Sequence, residues 1–134
     1  LLAVILCIRV LAPRPWIQRW LTPREDQIEQ VNLRALNEFY SHRLHHTKEA
    51  TGILLFVSLM EHRAVVLADK TINSKISGNE WNDVITEMVK GIKNDNLCHG
   101  LCRGIDLCAD ILSMHFPIQA NDRNELKNHL IVLD

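Results

Sequence analysis

The sequence lacks an excess of charge of either sign. Its 15 lysine and arginine residues nearly balance 16 aspartate and glutamate residues, which gives a formal net charge of -1. This balance provides no general electrostatic attraction to nucleic acid, and we expect no nucleic-acid partner. Glycine is scarce as well, and no segment resembles the G-x-x-x-x-G-K pattern of a phosphate-binding loop. Gly91, Gly100 and Gly104 are better explained as points of close packing or loop flexibility.

The four cysteines are too few for a disulfide-rich scaffold. Cys7 lies in the opening apolar run, so three cysteines remain for the folded part, and three cannot form a closed disulfide framework. A reducing compartment fits this count better than an oxidising one. Structural zinc sites usually combine a C-x-x-C knuckle with a second ligand pair, and neither is present. We therefore interpret Cys98, Cys102 and Cys108 as small hydrophobic core residues, with a zinc or redox module as the weaker hypothesis.

Long apolar runs are missing. The opening run LLAVILCIRVLA, residues 1–12, would extend about 18 Å as a helix, against about 30 Å for a bilayer core. The sequence begins inside this run, and Trp16 and Trp20 follow it at positions suited to a membrane interface. We interpret residues 1–21 as the end of a truncated transmembrane helix with its basic flank. A signal-peptide core and a buried core helix are the alternatives.

A purely basic flank follows the opening run. Four arginines precede the first acidic residue, Glu25: Arg9, Arg14, Arg19 and Arg24. Positive residues next to a membrane span favour the cytoplasmic side, so we predict a membrane protein whose folded domain, residues 22–134, faces the cytoplasm. The alternative, a basic patch lying on anionic headgroups, places the domain on the same side.

The clearest structural signal is a β-hairpin. Two apolar runs, Ile53–Leu59 and Ala64–Ala68, flank a polar turn at Met60–Arg63. Because both runs are almost continuously apolar, each strand needs cover on both faces, and the helical segments that follow can supply it. We predict an α/β fold: a small mixed sheet built on a central hairpin, about residues 52–59 and 63–68, with helices on both faces.

The first predicted helix precedes the hairpin. It begins with a capping box of Thr22 and Glu25 and runs to about His46. His42 and His46, four residues apart, would share a helix face and could hold a metal. The alternative is that these histidines stabilise the helix C-terminus through its dipole.

The other predicted helices follow the hairpin. They are a short turn that buries Ile72 and Ile76, a helix opened by the Ser77–Glu80 capping box, and a helix over Leu97–His115. In the last helix we expect Leu101, Ile105, Cys108 and Leu112 to form the buried stripe.

Three segments resemble the TPM domain family. They are TGILLFVSLMEHRAVVLADKTINSKI, EWNDVITEMVKGIKNDNLCHGLCRGIDLCADILSMHFP and DRNEL. The resemblance covers about residues 22–133 and is greatest to a bacterial branch of membrane proteins, in which two spans interrupt the domain after an N-terminal helix and strand. It implies a mixed α/β sandwich with a small central sheet, and a further portion of the domain before Leu1.

The resemblance also implies a site and an activity. Some family members are credited with acid phosphatase activity and divalent-cation binding. The commoner branch carries Asp-Asn-Gly before the hairpin, whereas this sequence has Ala50-Thr51-Gly52 and lacks that carboxylate. The candidate catalytic residues are Asp69, at the end of a strand, and Arg123. The candidate ligands for calcium or magnesium are Glu49, Asp69, Asp122 and Glu125.

Two functional hypotheses lead. The first is a membrane-anchored, non-catalytic interaction or assembly module whose partner is another membrane protein, because the sequence shows a severed span, an arginine flank and no nucleophile–base pair. The second is a phosphatase acting on phosphoesters with help from a divalent cation. In it, Asp69 is the nucleophile or a cation ligand and Arg123 clamps the phosphate.

Overall fold

The computed structural model of the chain describes residues 23–117 and 130–133. The helices are α1 (Arg24–Ser41), α2 (Lys70–Lys75), α3 (Asn82–Lys93) and α4 (Leu97–His115), and the strands are β1 (Ile53–Ser58) and β2 (Arg63–Ala68). Short 3-10 helices cover Leu44–His46 and Gly78–Trp81. No helix in the described ranges is long and apolar enough to cross a bilayer. The predicted truncated span, residues 1–21, and the Thr22 cap lie outside these ranges.

The predicted hairpin is confirmed. Strands β1 and β2 pair antiparallel, from Ile53 opposite Ala68 to Ser58 opposite Arg63. Within the described residues these two strands are the whole sheet. In the turn that connects the two strands, the His62 backbone has a left-handed conformation, φ 51°. The α/β class built on a central hairpin is therefore observed, with the sheet in antiparallel form in this part of the chain.

The sheet lies between helices. Side chains of a strand alternate between its faces: Leu67 lines a groove with α1, whereas its neighbours Val66 and Ala68 pack on the other side. That other side carries the main core, together with α3 and α4. Its buried members are Ala64, Ile72, Ile76, Trp81, Val84, Met88 and Cys108. The predicted placement of helices on both faces is confirmed.

The second capping box and the helices after it also agree with prediction. The Ser77 backbone N–H donates a hydrogen bond of 2.9 Å to Glu80 Oε1, and the box is complete. It opens a 3-10 turn, after which α3 continues from Asn82. Ile72 and Ile76 are both buried, as expected for the short turn of α2.

The helix before the hairpin is shorter than predicted. It ends at Ser41, because Arg43 adopts a left-handed conformation with φ 54° and interrupts the helical path. His42 Nε2 lies 3.1 Å from Glu38 Oε2, while His46 belongs to the separate 3-10 helix. The prediction that His42 and His46 share one face of this helix is therefore wrong.

The buried stripe of α4 differs from the predicted one. Gly100, Gly104 and Cys108 are buried, whereas the Ile105 residue is 54% exposed. The small residues let α4 approach α3 closely, and this rotates Ile105 towards solvent. Cys98 and Cys102 are exposed, so the interpretation of all three cysteines as core residues holds for Cys108 alone.

Candidate functional site

The two ends of the hairpin are joined by hydrogen bonds. The Asp69 backbone N–H donates to the Gly52 carbonyl at 2.9 Å, and the Thr71 N–H donates to the Ala50 carbonyl at 3.2 Å. The Thr71 hydroxyl donates to the Glu49 carbonyl. These bonds hold the segments 49–52 and 69–71 side by side, and we call the pair of segments the hairpin base. Glu49 and Asp69, predicted to share a site, thus belong to adjacent segments.

Asp69 is the most constrained acid of the hairpin base. It follows β2 directly and caps α2, with its Oδ1 accepting a 2.7 Å hydrogen bond from the Lys70 N–H. The residue is 7% exposed, and its Oδ2 atom is buried with no hydrogen-bond partner in the part of the chain described. A buried carboxylate oxygen without a partner is costly, so Asp69 is the best candidate here for contact with a ligand.

The start of the hairpin base is a tight turn. A Cβ atom on Gly52 would lie 1.8 Å from the Leu44 carbonyl oxygen, so only glycine fits that position. Ala50 has a left-handed backbone, φ 52°, which asparagine and aspartate tolerate better than alanine. The Thr51 N–H donates to Thr47 Oγ1 at 2.9 Å. The turn is thus built without a carboxylate at its left-handed position.

A second candidate site is an apolar groove on α1. It has a volume of about 500 Å³ and is lined by Glu25, Ile28, Glu29, Asn32, Leu33, Leu36 and Leu67. Three of its apolar residues are substantially exposed: Ile28 at 38%, Leu33 at 51% and Leu36 at 42%. This groove was not predicted from the sequence. The available signal was the breadth of the apolar face of α1, which a two-stranded sheet cannot cover.

Comparison with known proteins decides the family. Residues 18–111 match the family model described as the TPM domain. The chain belongs to the TPM domain family. Its fold is also similar to the NMR structure of the BA42 protein from the psychrophilic bacterium Bizionia argentinensis, with 29% identity and a TM-score of 0.66. That match covers 72% of this chain and 66% of BA42, just under two thirds of its length. None of the curated proteins matches the chain.

The predicted TPM resemblance is therefore confirmed, and the hairpin base can be compared with what it implies. A divalent cation such as calcium takes six to eight oxygen ligands. In residues 23–117 and 130–133, no three His, Cys, Asp or Glu side chains form a group that could hold a metal. Asp69 offers one unpaired oxygen, and Ala50 offers no side-chain oxygen. The described residues of this TPM domain do not by themselves fit such a cation.

Of the remaining predicted site residues, Glu49 alone lies in the described part of the chain. Asp122, Arg123 and Glu125 lie outside the described residues. The Glu49 residue is exposed, and its carbonyl is engaged by the Thr71 hydroxyl. The structure therefore brings Glu49 and Asp69 together in the hairpin base. Of their two side chains, that of Asp69 is buried and that of Glu49 is exposed.

Proposed function

We propose that this TPM domain is a membrane-anchored interaction or assembly module, with its folded part facing the cytoplasm and another membrane protein as its partner. The observation that carries the proposal is the apolar groove on α1. An exposed apolar surface bordered by polar residues is typical of a protein-interaction site. Leu33 is half-exposed, so a partner that covers it removes apolar surface from water, which is favourable.

The border of the groove indicates the chemistry of the partner. Glu25 and Glu29 flank the apolar residues, so the groove favours an apolar segment that carries lysine or arginine beside it. Loops of membrane proteins on the cytoplasmic side are enriched in lysine and arginine. A juxtamembrane segment of a neighbouring membrane protein therefore fits the groove in both polarity and charge.

The anchor is supported by the sequence. The apolar run of residues 1–12 and the arginine flank after it are typical of the end of a span whose following domain is cytoplasmic. We expect the natural protein to remain in the membrane fraction after alkaline carbonate extraction. Release of the protein into the soluble fraction would contradict the anchor while leaving the groove proposal open to its own test.

The groove is tested by recovery of a partner from detergent-solubilised membranes. We compare the full chain with Leu33→Asp, in the groove, and with Ile105→Asp, on α4, because these residues are 51% and 54% exposed. The expected result is one membrane protein retained by the wild type and by Ile105→Asp and lost by Leu33→Asp. Equal recovery by Leu33→Asp, or no membrane protein at all, would contradict the proposal.

A photo-crosslinking residue at position 33 identifies the occupant of the groove directly. The expected product joins this chain to the recovered membrane protein through a segment rich in lysine or arginine. Crosslinks confined to this chain would show that the groove holds one of its own segments, and this result would contradict a partner.

A second candidate function is phosphoester hydrolysis assisted by calcium or magnesium. The unpaired, buried Oδ2 of Asp69 favours it. The test is turnover of p-nitrophenyl phosphate by the wild type and by Asp69→Asn, which keeps a capping oxygen for α2. Loss of turnover in the variant supports this function, and equal turnover indicates a contaminant.

The missing carboxylate provides a further test of the cation. Ala50→Asp restores the acid of the commoner branch at a left-handed position that aspartate tolerates. If the hairpin base is a depleted cation site, calorimetry will detect calcium binding that is tighter in Ala50→Asp than in Ala50→Asn. Identical titrations of the two variants would argue against a cation site at this base.

A further inference from the structure

Cys98 and Cys102 form an exposed pair of thiols on α4. Both residues are exposed, and they lie four residues apart, so their side chains project from the same face of the helix. Residues four apart on a helix have Cβ atoms about 5 to 6 Å apart, which places the two thiols side by side on α4. The third cysteine of the helix, Cys108, is buried and lies on the face that packs into the core. The pair is therefore separate from the hydrophobic core and from both candidate sites described above.

Two adjacent thiols are a ligand set for a soft metal ion. Zinc in proteins is usually held by four ligands in tetrahedral geometry, and no group of three or more metal-ligating side chains occurs in the described ranges. Monovalent copper differs, because thiolate ligands select it and two of them can satisfy it in linear coordination. The pair on α4 thus suits a two-coordinate, thiophilic cation.

We propose that Cys98 and Cys102 bind one Cu(I) ion at the surface of α4. Binding converts two neutral thiols and one Cu(I) ion into a bis-thiolate complex of charge -1, with release of two protons. No change of oxidation state is involved, and no further reactant is needed.

The thiolate, and not the thiol, is the form of cysteine that binds a metal, so both thiols lose their protons when the ion is bound. Because both protons must leave, binding of Cu(I) becomes tighter as the pH rises.

The test is anaerobic titration of the reduced, full chain with Cu(I) in competition with the chromophoric ligand bicinchoninate. We expect one Cu(I) per chain, and loss of that ion in Cys98→Ser and in Cys102→Ser. Both positions are exposed, so these variants should keep the fold, and circular dichroism checks this. Cys7→Ser and Cys108→Ala are the matched controls and should keep the full stoichiometry. X-ray absorption should show two sulfur neighbours.

Three outcomes would overturn the proposal. Unchanged binding by Cys98→Ser or Cys102→Ser would place the metal elsewhere. Half an ion per chain, with a dimer in solution, would mean that two copies share the metal. Zinc displacing Cu(I) at equal concentration would mean that the site is not selective for a soft monovalent ion.

Discussion

Gly91 and Gly100 lie in backbone contact where α3 meets α4. A Cβ atom on Gly91 would be 2.5 Å from the Gly100 Cα, and one on Gly100 would be 2.6 Å from the Gly91 Cα. The turn between the helices is closed nearby by a 2.9 Å hydrogen bond from the Asn96 N–H to the Gly91 carbonyl. This contact fixes how α4 lies on the core, and therefore which of its residues are exposed.

Gly100→Ala should lower the free energy of unfolding by about 1 to 3 kcal/mol, the usual cost of overpacking. The loss should appear although alanine favours a helix by about 1 kcal/mol over glycine. Urea unfolding measures it. Gly78→Ala is the control, because a Cβ there meets no atom within 4 Å, and its effect should stay within about 0.5 kcal/mol. Equal stability of the two variants would contradict the close contact.

Ala50→Gly should stabilise the protein by about 0.5 to 1 kcal/mol, because Ala50 has a φ of 52° and a left-handed conformation costs an L-residue about 1 to 2 kcal/mol. The same change at Ala109, exposed on α4, should destabilise by about 1 kcal/mol. Thermal and urea unfolding of both variants check the opposite signs. A loss of stability in Ala50→Gly would show that the turn is not strained.

Met88→Ala should cost about 2 to 5 kcal/mol, since it leaves a cavity in the core. Met88 is fully buried, with 0% exposure, whereas Met114 is 72% exposed. Met114→Ala therefore makes the same chemical change without a cavity and should alter stability by no more than about 0.5 kcal/mol. Similar urea midpoints for the two variants would mean that Met88 is not a core residue.

Glu80 should make stability depend on pH in the acid range. Its pKa is lowered below the ordinary value of 4.5, first by the hydrogen bond from the Ser77 backbone and then by that from His115. The His115 Nε2 lies 3.0 Å from Glu80 Oε2. A lowered folded-state pKa gives stability that is present above pH 4.5 and is lost as the pH falls through the folded-state value.

Glu80→Gln should therefore flatten the acid limb of the stability curve measured by urea unfolding from about pH 3 to about pH 6, a range that brackets the ordinary glutamate pKa of 4.5. His115→Gln should flatten it less, because the larger contribution, from Ser77, remains. An acid limb in Glu80→Gln as steep as that of the wild type would show that this carboxylate is not coupled to folding.

Much of the fold was predictable because its signals are local. The hairpin follows from two apolar runs around a polar turn, and the limits of α4 follow from its periodicity and from Pro117. The end of α1 was not predictable, because the left-handed Arg43 leaves no pattern in the apolar positions. Asp69 could be predicted as a candidate site residue from its place after a strand. That its Oδ2 is buried without a hydrogen-bond partner among the described residues could not, because burial depends on groups distant in sequence.

The sequence by itself determined the α/β class, the hairpin, the Ser77–Glu80 cap and the family, because each depends on residues close together in the chain. Only the tertiary structure decided which faces are covered. The contact of Gly91 with Gly100 lets α4 lie close to α3, buries Cys108 and leaves Cys98 and Cys102 at the surface. The groove on α1 likewise exists because its apolar face is wider than the two strands packed against it. Packing between distant elements sets exposure, and exposure selects the surfaces that can bind a partner or a metal.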